Sequence, residues 1–308
     1  MGDRDLTREN ILEAAGSFEL EGRLTDAKPY GGGHINDTFA VVCDREDGSI
    51  KRYILQRINT NVFKKPVELM ENIAAITQYL GKIIKKNGGD PMRETLNLIP
   101  TKDGRNWYVD SKGEYWRCYH FVEDTVTYNQ VKSKEDFYHS AKAFGKFQML
   151  LADYPAETLH ETIPNFHNTV DRFEKFKEAL EKDILNRAKY VADEIEFVLK
   201  REEDTHKLIN LQKAGKLPLR VTHNDTKMNN VLIDKHTGEG ICVIDLDTVM
   251  PGLSLYDYGD SIRFGATYAA EDERDLSKVN FELELFEVYT KGYLEVAGDV
   301  LNSYEDVI

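Results

Sequence analysis

The spacing of hydrophobic positions changes along the chain, and the change divides it in two. Between Asp5 and Glu21, apolar Leu6, Ile11, Leu12, Ala15 and Phe18 recur at helical spacing and predict an opening helix. Gly31 to Thr38 then form a glycine-rich turn that runs into a strand, Phe39 to Val42. Gly48 and Ser49 mark a turn, and Tyr53 to Ile58 reads as the second strand of a hairpin. Pro66 to Lys86 predicts a helix, with Pro at its start, Leu69, Ile73, Ile76 and Leu80 on one face, and Gly88-Gly89 at its stop. Leu96 to Ile99, Trp107 to Val109 and Tyr115 to Val122 read as three further strands.

From Ser133 onward the period is helical. Ser133 to Leu151 opens on a capping Ser followed by Glu135 and Asp136 in the first turn. Asn168 to Gln212 is rich in Glu, Lys and Leu and predicts more than one helix. Strand-like runs return only at Val231 to Ile233 and Ile241 to Leu246, and Glu271 to Val296 is expected to be helical. The pattern predicts an α+β chain: a small β-rich unit over 1–122, then a larger α-rich unit over 123–308.

Composition narrows the function classes. A chain of 308 residues with 41% hydrophobic and 31% charged residues can bury a sizeable core. A net charge of -14 argues against nucleic acid, which requires a basic stripe. It leaves room for a small phosphorylated ligand, because a bound cation reverses the local field. Cys43, Cys118 and Cys242 are far apart and suggest no disulfide framework. Met1 to Arg23 carries charge throughout, unlike a signal peptide, and no run reaches the ~20 apolar residues of a membrane span. The expectation is a soluble cytoplasmic protein without a membrane partner.

Candidate chemistry concentrates between Val221 and Asp247. His223, Asn224 and Asp225 are followed by Lys227 and Asn230, then by strand-like Val231 to Ile233. Ile241 to Ile244 delivers Asp245 at the end of another apolar run. Phosphoryl transfer requires a carboxylate that orients the acceptor hydroxyl and takes its proton. It also requires oxygen ligands for Mg²⁺ and a cation near the transferred group. Asp225, the pair Asn230 and Asp245, and Lys227 are residues of those types. The mixed charges of Asp171 to Asp204 read as a solvated helical face, and His160 with His167 offers too few ligands for zinc.

The stretch His223 to Asn230 resembles the catalytic loop of the aminoglycoside phosphotransferase and choline kinase group, and Asp245 resembles that group's second metal-binding Asp. The resemblance implies a two-lobed protein-kinase-like fold using ATP and Mg²⁺. Asp225 would be the catalytic base, Lys227 would lie near the γ-phosphate, and Asn230 and Asp245 would hold the metal. His223 and Asp257 would support the loop. Gly31, Gly32, Gly33, Asn36 and Thr38 would cover the phosphates, and Phe121, Val122 and Glu123 would form the adenine-binding link. Gly33 to Thr38, the loop itself, Ile244 to Gly252 and Asp260 to Phe264 together look like N-acetylhexosamine 1-kinases. That likeness implies ATP-dependent phosphorylation of the C1 hydroxyl of N-acetylglucosamine or N-acetylgalactosamine, with His34, Asp225, Arg263 and Phe264 at the sugar.

The chain departs from the pattern in two places. The strand from Tyr53 to Ile58 has no Lys, so Gln56 or Arg57 must stand in, with Glu68 or Glu71 as candidate partners. Hexosamine kinases of this type also run on past the position of Ile308, which leaves truncation of the substrate side open. A metal role for Asp247, the epimer preference and the oligomeric state are open as well. Alternative readings are a kinase for an aminoglycoside, choline or homoserine, and a non-catalytic nucleotide-binding regulator.

Overall fold

The computed structural model describes residues 6–32 and 35–305. Helix α1 (Arg8–Gly16) is capped by Thr7 and precedes a five-stranded antiparallel sheet. Its strands are β1 (Arg23–Pro29), β2 (Asp37–Asp44), β3 (Ile50–Ile58), β4 (Tyr108–Val109) and β5 (Tyr115–His120), in the order β1-β2-β3-β5-β4. Strand alternation gives the sheet two different faces. Val41, Cys43, Tyr53, Leu55, Trp116 and Cys118 are fully buried in one cluster with Ile11, Ala14, Ala15 and Phe18 from the α1 side. On the other face the register aligns Thr38 with Gln56 and Gln56 with Arg117, and Ile54 with Tyr119. That face turns toward the second half of the molecule.

Helix α2 (Pro66–Lys86) matches the span read from its periodicity, and the short α3 (Pro91–Glu94) follows it. Buried Leu69, Ile73, Ile76, Leu80 and Ile84 join Ile58 and Tyr119 of the sheet to Phe147, Val221 and Val249 of the second half. One apolar cluster therefore spans both lobes. Each such side chain contributes about 1.5–3 kcal/mol when fully buried.

The two-residue β6 (Thr125–Val126) leads into α4 (Lys134–Leu150), whose N-cap is Ser133. Helices α5 (Thr169–Lys182), α6 (Ala192–Leu199) and α7 (Glu202–Lys213) follow. Strands β7 (Arg220–Thr222), β8 (Val231–Asp234), β9 (Gly240–Val243) and β10 (Met250–Gly252) carry the candidate chemistry. Helices α8 (Ser254–Gly265) and α9 (Leu283–Ala297) complete the lobe. Helices α4 and α9 approach closely at two glycines. A Cβ on Gly145 would lie 2.8 Å from the Tyr293 carbonyl oxygen, and one on Gly292 would lie 2.8 Å from that of Tyr138.

The chain thus has the kinase-like fold, a β-sheet lobe followed by a helical lobe. It departs locally from the pattern-based reading. Leu96 to Ile99 makes only an isolated bridge, Leu98 to Tyr119, because Asn97 turns its amide onto the carbonyls of Pro91 and Thr95. Residues 271–282 are not α-helical, and α9 begins only at Leu283. There Asp275 caps a single short turn by accepting from the Ser277 N–H, a local bond that competes with helix. Helix α8 was not foreseen, since Asp257, Asp260 and Ser261 interrupt its apolar pattern. Among the described residues no helix is long and apolar enough to cross a membrane.

Candidate active site

The loop 223–230 leaves β7, which pairs with β10 in tight register. A Cβ on Gly252 would come within 2.3 Å of the Thr222 hydroxyl, so Gly252 permits this approach. Asn224 sits at φ 65, a left-handed conformation that Asn tolerates better than most residues. Its side chain donates to the Thr248 carbonyl at 2.8 Å. His223 is fully buried, edge-on to Phe144 and Phe147. Its Nδ1 accepts from the Asp225 N–H at 3.3 Å, so Nε2 carries the proton and donates to the Ile244 carbonyl at 2.8 Å. Asp257, on α8, accepts from the N–H groups of His223 (2.9 Å) and Asn224 (2.7 Å) and from Gln148 Nε2 (2.9 Å). Burial still raises its pKa, against the pull of those donors.

Strands β8 and β9 carry the next pair. Val231 pairs with Val243, and the Ile244 N–H donates to the Asn230 carbonyl at 2.9 Å. This brings Asn230 and Asp245 to one end of the hairpin, where both line the cleft. Asn230 Nδ2 donates to the backbone carbonyl of Asp225 at 2.8 Å and its carboxylate at 3.2 Å, leaving Oδ1 as the atom able to ligate a cation. Asp245 adopts φ 59 and accepts no hydrogen bond among the described residues. Crowding by the cleft walls and the negative charge of Asp247 push its pKa up to about 6, while Arg117 pulls the other way. A divalent cation would relieve that repulsion, and a carboxylate with one amide oxygen is the sparse oxygen set that suits Mg²⁺. Asp247 itself is occupied. One carboxylate oxygen accepts from Arg117 and the other from Asn36 Nδ2 at 2.5 Å.

Above this pair lies a cleft of about 250 Å³, lined by Gly31, Gly32, Thr38 and Gln56 from the sheet lobe. Gly31 adopts φ 77, in the left-handed region that glycine reaches freely. Asn36 accepts from the Asn59 N–H at 2.9 Å. Gly33 lies outside the described residues. Phe121 and Val122 line the cleft beside Tyr30, whose ring meets Phe121 edge-on at 5.4 Å. Glu123 pairs with Arg52, and its carbonyl accepts from Arg93 at 3.0 Å. The Phe121 carbonyl and the N–H groups of Val122 and Glu123 have no partner among the described residues. Arg57 lies on the opposite side of β3 from Gln56, in register with Trp116 and 2.6 Å from Asp37. Glu68 pairs with Lys65 and Glu71 with His160, so neither reaches Arg57.

On the acceptor side, Lys227 Nζ stands 3.5 Å from Asp225 and 3.3 Å from Glu271. Burial draws its pKa down, but the two carboxylates win and the net shift is upward. Arg263 bridges Asp260 (2.9 Å) and Glu271 (3.0 Å), and Asp260 in turn accepts from the Thr226 N–H at 2.9 Å. Phe264 packs with Phe137, Tyr258 and Tyr289 inside the helical lobe and does not line the cleft. His34 lies outside the described residues. A larger cavity of about 410 Å³ lies behind the loop, with Phe166, His167 and Tyr256 in its wall. It is lined by Asn224 of the loop but by none of Asp225, Asn230 or Asp245.

Several residues of the site escaped the sequence reading. Gln148, Asp260 and His167 each hold the loop, His167 through Nε2 at 2.9 Å from the Asn224 carbonyl. Arg117 is 1% exposed and stands behind Gln56. Its only sequence signal was strand parity: in Tyr115 to His120 it shares a face with Tyr119, which helps line the cleft.

Residues 26–286 match the model of the phosphotransferase enzyme family, which includes aminoglycoside phosphotransferases, and the chain belongs to that family. The fold recurs in solved structures of low sequence identity. One is the amicoumacin kinase hAmiN in complex with AMP-PNP, Ca²⁺ and amicoumacin, at TM-score 0.59 and 14% identity, covering 94% of this chain and 78% of that one. Another is an aminoglycoside phosphotransferase from Alicyclobacillus acidocaldarius, at TM-score 0.58 and 12% identity, covering 96% and 80%. A third is a microcompartment-associated aminopropanol kinase, at TM-score 0.57 and 16% identity, covering 96% and 82%.

Proposed function

We propose that the protein transfers the γ-phosphate of ATP to the C1 hydroxyl of N-acetylglucosamine or N-acetylgalactosamine. The observation that carries the phosphoryl-transfer part is the meeting of Asn230 and Asp245 at one cleft, with Asn230 bonded directly to Asp225. In this reading Asp225 orients the sugar hydroxyl and accepts its proton as the oxygen attacks. Lys227, held between Asp225 and Glu271, faces the transferred group. Asn230 Oδ1 and the Asp245 carboxylate would hold Mg²⁺, which supplies charge neutralisation on the phosphates. The unpaired backbone groups of Phe121, Val122 and Glu123 are suited to the adenine edge. Gly31, Gly32, Asn36 and Thr38 would cover the phosphates, and lobe closure would exclude water.

The sugar assignment rests on the strings Gly33 to Thr38 and Asp260 to Phe264, which resemble N-acetylhexosamine 1-kinases. Arg263 would then reach the sugar from the rim of the loop. Phe264, packed in the core, would shape the site by supporting α8. The test is an ADP-release assay over N-acetylhexosamines, aminoglycosides, choline and homoserine. The reading expects turnover with N-acetylglucosamine or N-acetylgalactosamine. Turnover of a cationic acceptor, with none on the hexosamines, overturns it.

A further inference from the structure

A nucleotide's phosphates bring several negative charges into a protein whose net charge is -14. Among the described residues no Lys or Arg lines the cleft, and Asp245 does. The field there needs a fixed positive charge. Arg57 is spent on Asp37 on the other side of the sheet. Lys227 belongs to the acceptor side, between Asp225 and Glu271.

Arg52 pairs with Glu123 and stacks on Phe121 at the far end of the cleft, whereas Arg117 is buried behind Gln56 and enters from the strand next to β3. Its backbone is in register with Gln56. Its Nε donates to Gln56 Oε1 at 2.9 Å and its Nη1 donates to Asp247. The bonds continue outward from both partners. Gln56 Nε2 donates to Thr38 Oγ1 at 3.0 Å, and Asp247 accepts from Asn36 in the glycine turn. One guanidinium therefore sets the amide orientation of Gln56 and joins the turn to the segment that carries Asp245. A guanidinium does not lose its proton in a protein, so this charge is permanent. A purely structural joint gains little from such a pair, since apolar replacements of buried ion pairs are often neutral or stabilising.

We propose that Arg117 is the positioning residue for the phosphate end of the nucleotide. It acts from behind the cleft wall through Gln56 and Asp247: its charge offsets the Asp247 carboxylate beside Asp245, and its hydrogen bonds hold the Gln56 amide and, through Asp247, the Asn36 turn in place. The proposal rests on reading the cleft as the nucleotide site and is independent of the acceptor.

Calorimetric titration with ADP and with adenosine, both in Mg²⁺, separates the phosphate contribution from that of the base. Wild type is expected to bind ADP more tightly than adenosine. Arg117→Gln is expected to weaken ADP at least ~tenfold while adenosine stays within about threefold. That variant leaves Asp247 buried without its partner, so a second one guards against misfolding. Gln56→Lys combined with Arg117→Met moves the cation onto β3, within reach of the same carboxylate. It is expected to keep the wild-type preference for ADP within about threefold. Equal losses for ADP and adenosine in Arg117→Gln, or no change in either, overturn the proposal. So does a folded double variant without ADP preference. Absence of ADP binding by the wild type overturns the cleft assignment itself, and this proposal with it.

Discussion

Asp257 and Asp245 lie on opposite sides of the same loop, and their surroundings are opposite too. Beneath the loop, Asp257 is 2% exposed and accepts from two backbone N–H groups and the Gln148 amide. Above it, Asp245 touches solvent in the cleft and accepts no hydrogen bond among the described residues. Both carboxyls have raised pKa values, Asp257 through burial and Asp245 through desolvation by the surrounding cleft walls despite its open face. Only Asp245 has a like charge, Asp247, as its second cause. The lower region is a clamp whose polar groups are satisfied. The upper region holds charge that is poorly compensated, which a fold tolerates at a site of chemistry. The clamp makes the tolerance possible, because Asn224 and Asp245 both hold left-handed backbone that the surroundings must enforce.

The sharpest separation of the two regions comes from Asp225→Asn. The carboxamide keeps the shape of the side chain but cannot take a proton. Steady-state assays are expected to show kcat lower by ~10²–10⁴, the range typical of a lost general base. Urea unfolding is expected to show stability within about 0.5 kcal/mol of wild type, because Asp225 belongs to the upper side. Wild-type turnover in this variant would remove Asp225 from the mechanism.

Asp257→Ala asks the converse question. It leaves two buried N–H groups and the Gln148 amide without their acceptor. Each unsatisfied buried group costs about 1–3 kcal/mol, partly offset by no longer burying a carboxylate. Urea unfolding is expected to show a loss of about 2–4 kcal/mol. Activity should fall with it, since Asn224 and Asp225 would no longer be held. A variant as stable as wild type would mean that the clamp lies elsewhere, in His223 or Thr226.

Much of this was legible before the fold was known. Helix α2 is bounded by Pro66 and the two glycines after Asn87, and its periodicity sets its span. The loop 223–230 is local, so its spacing alone brings Asp225 and Asn230 together. What stayed hidden depends on contacts remote in sequence. Arg117 meets Asp247 across 130 residues and Gln148 meets Asp257 across 109, and neither distance leaves a periodic trace. The choice between Gln56 and Arg57 needed strand parity relative to a neighbour, since a one-residue shift exchanges the faces. Segment 271–282 misled because its acidic composition resembles a solvated helix, while its capping Asp275 stops one.

The mildest test leaves the sequence intact and changes only pH. Asp245 must be ionised to serve as a cation ligand, and desolvation by the cleft walls, with the charge of Asp247 second, places its pKa at about 6 rather than near 4. The sign follows directly: above that value the carboxylate is available, and below it a proton competes with the metal. Lowering the pH from 7 to 5 is therefore expected to weaken Mg²⁺-dependent ADP binding by about tenfold, while adenosine binding stays level. Asp257, which meets no ligand in this reading, should leave no trace in that profile. A profile flat down to pH 5 would mean that Asp245 is as well compensated as the clamp below it, and the contrast between the two carboxylates would be lost.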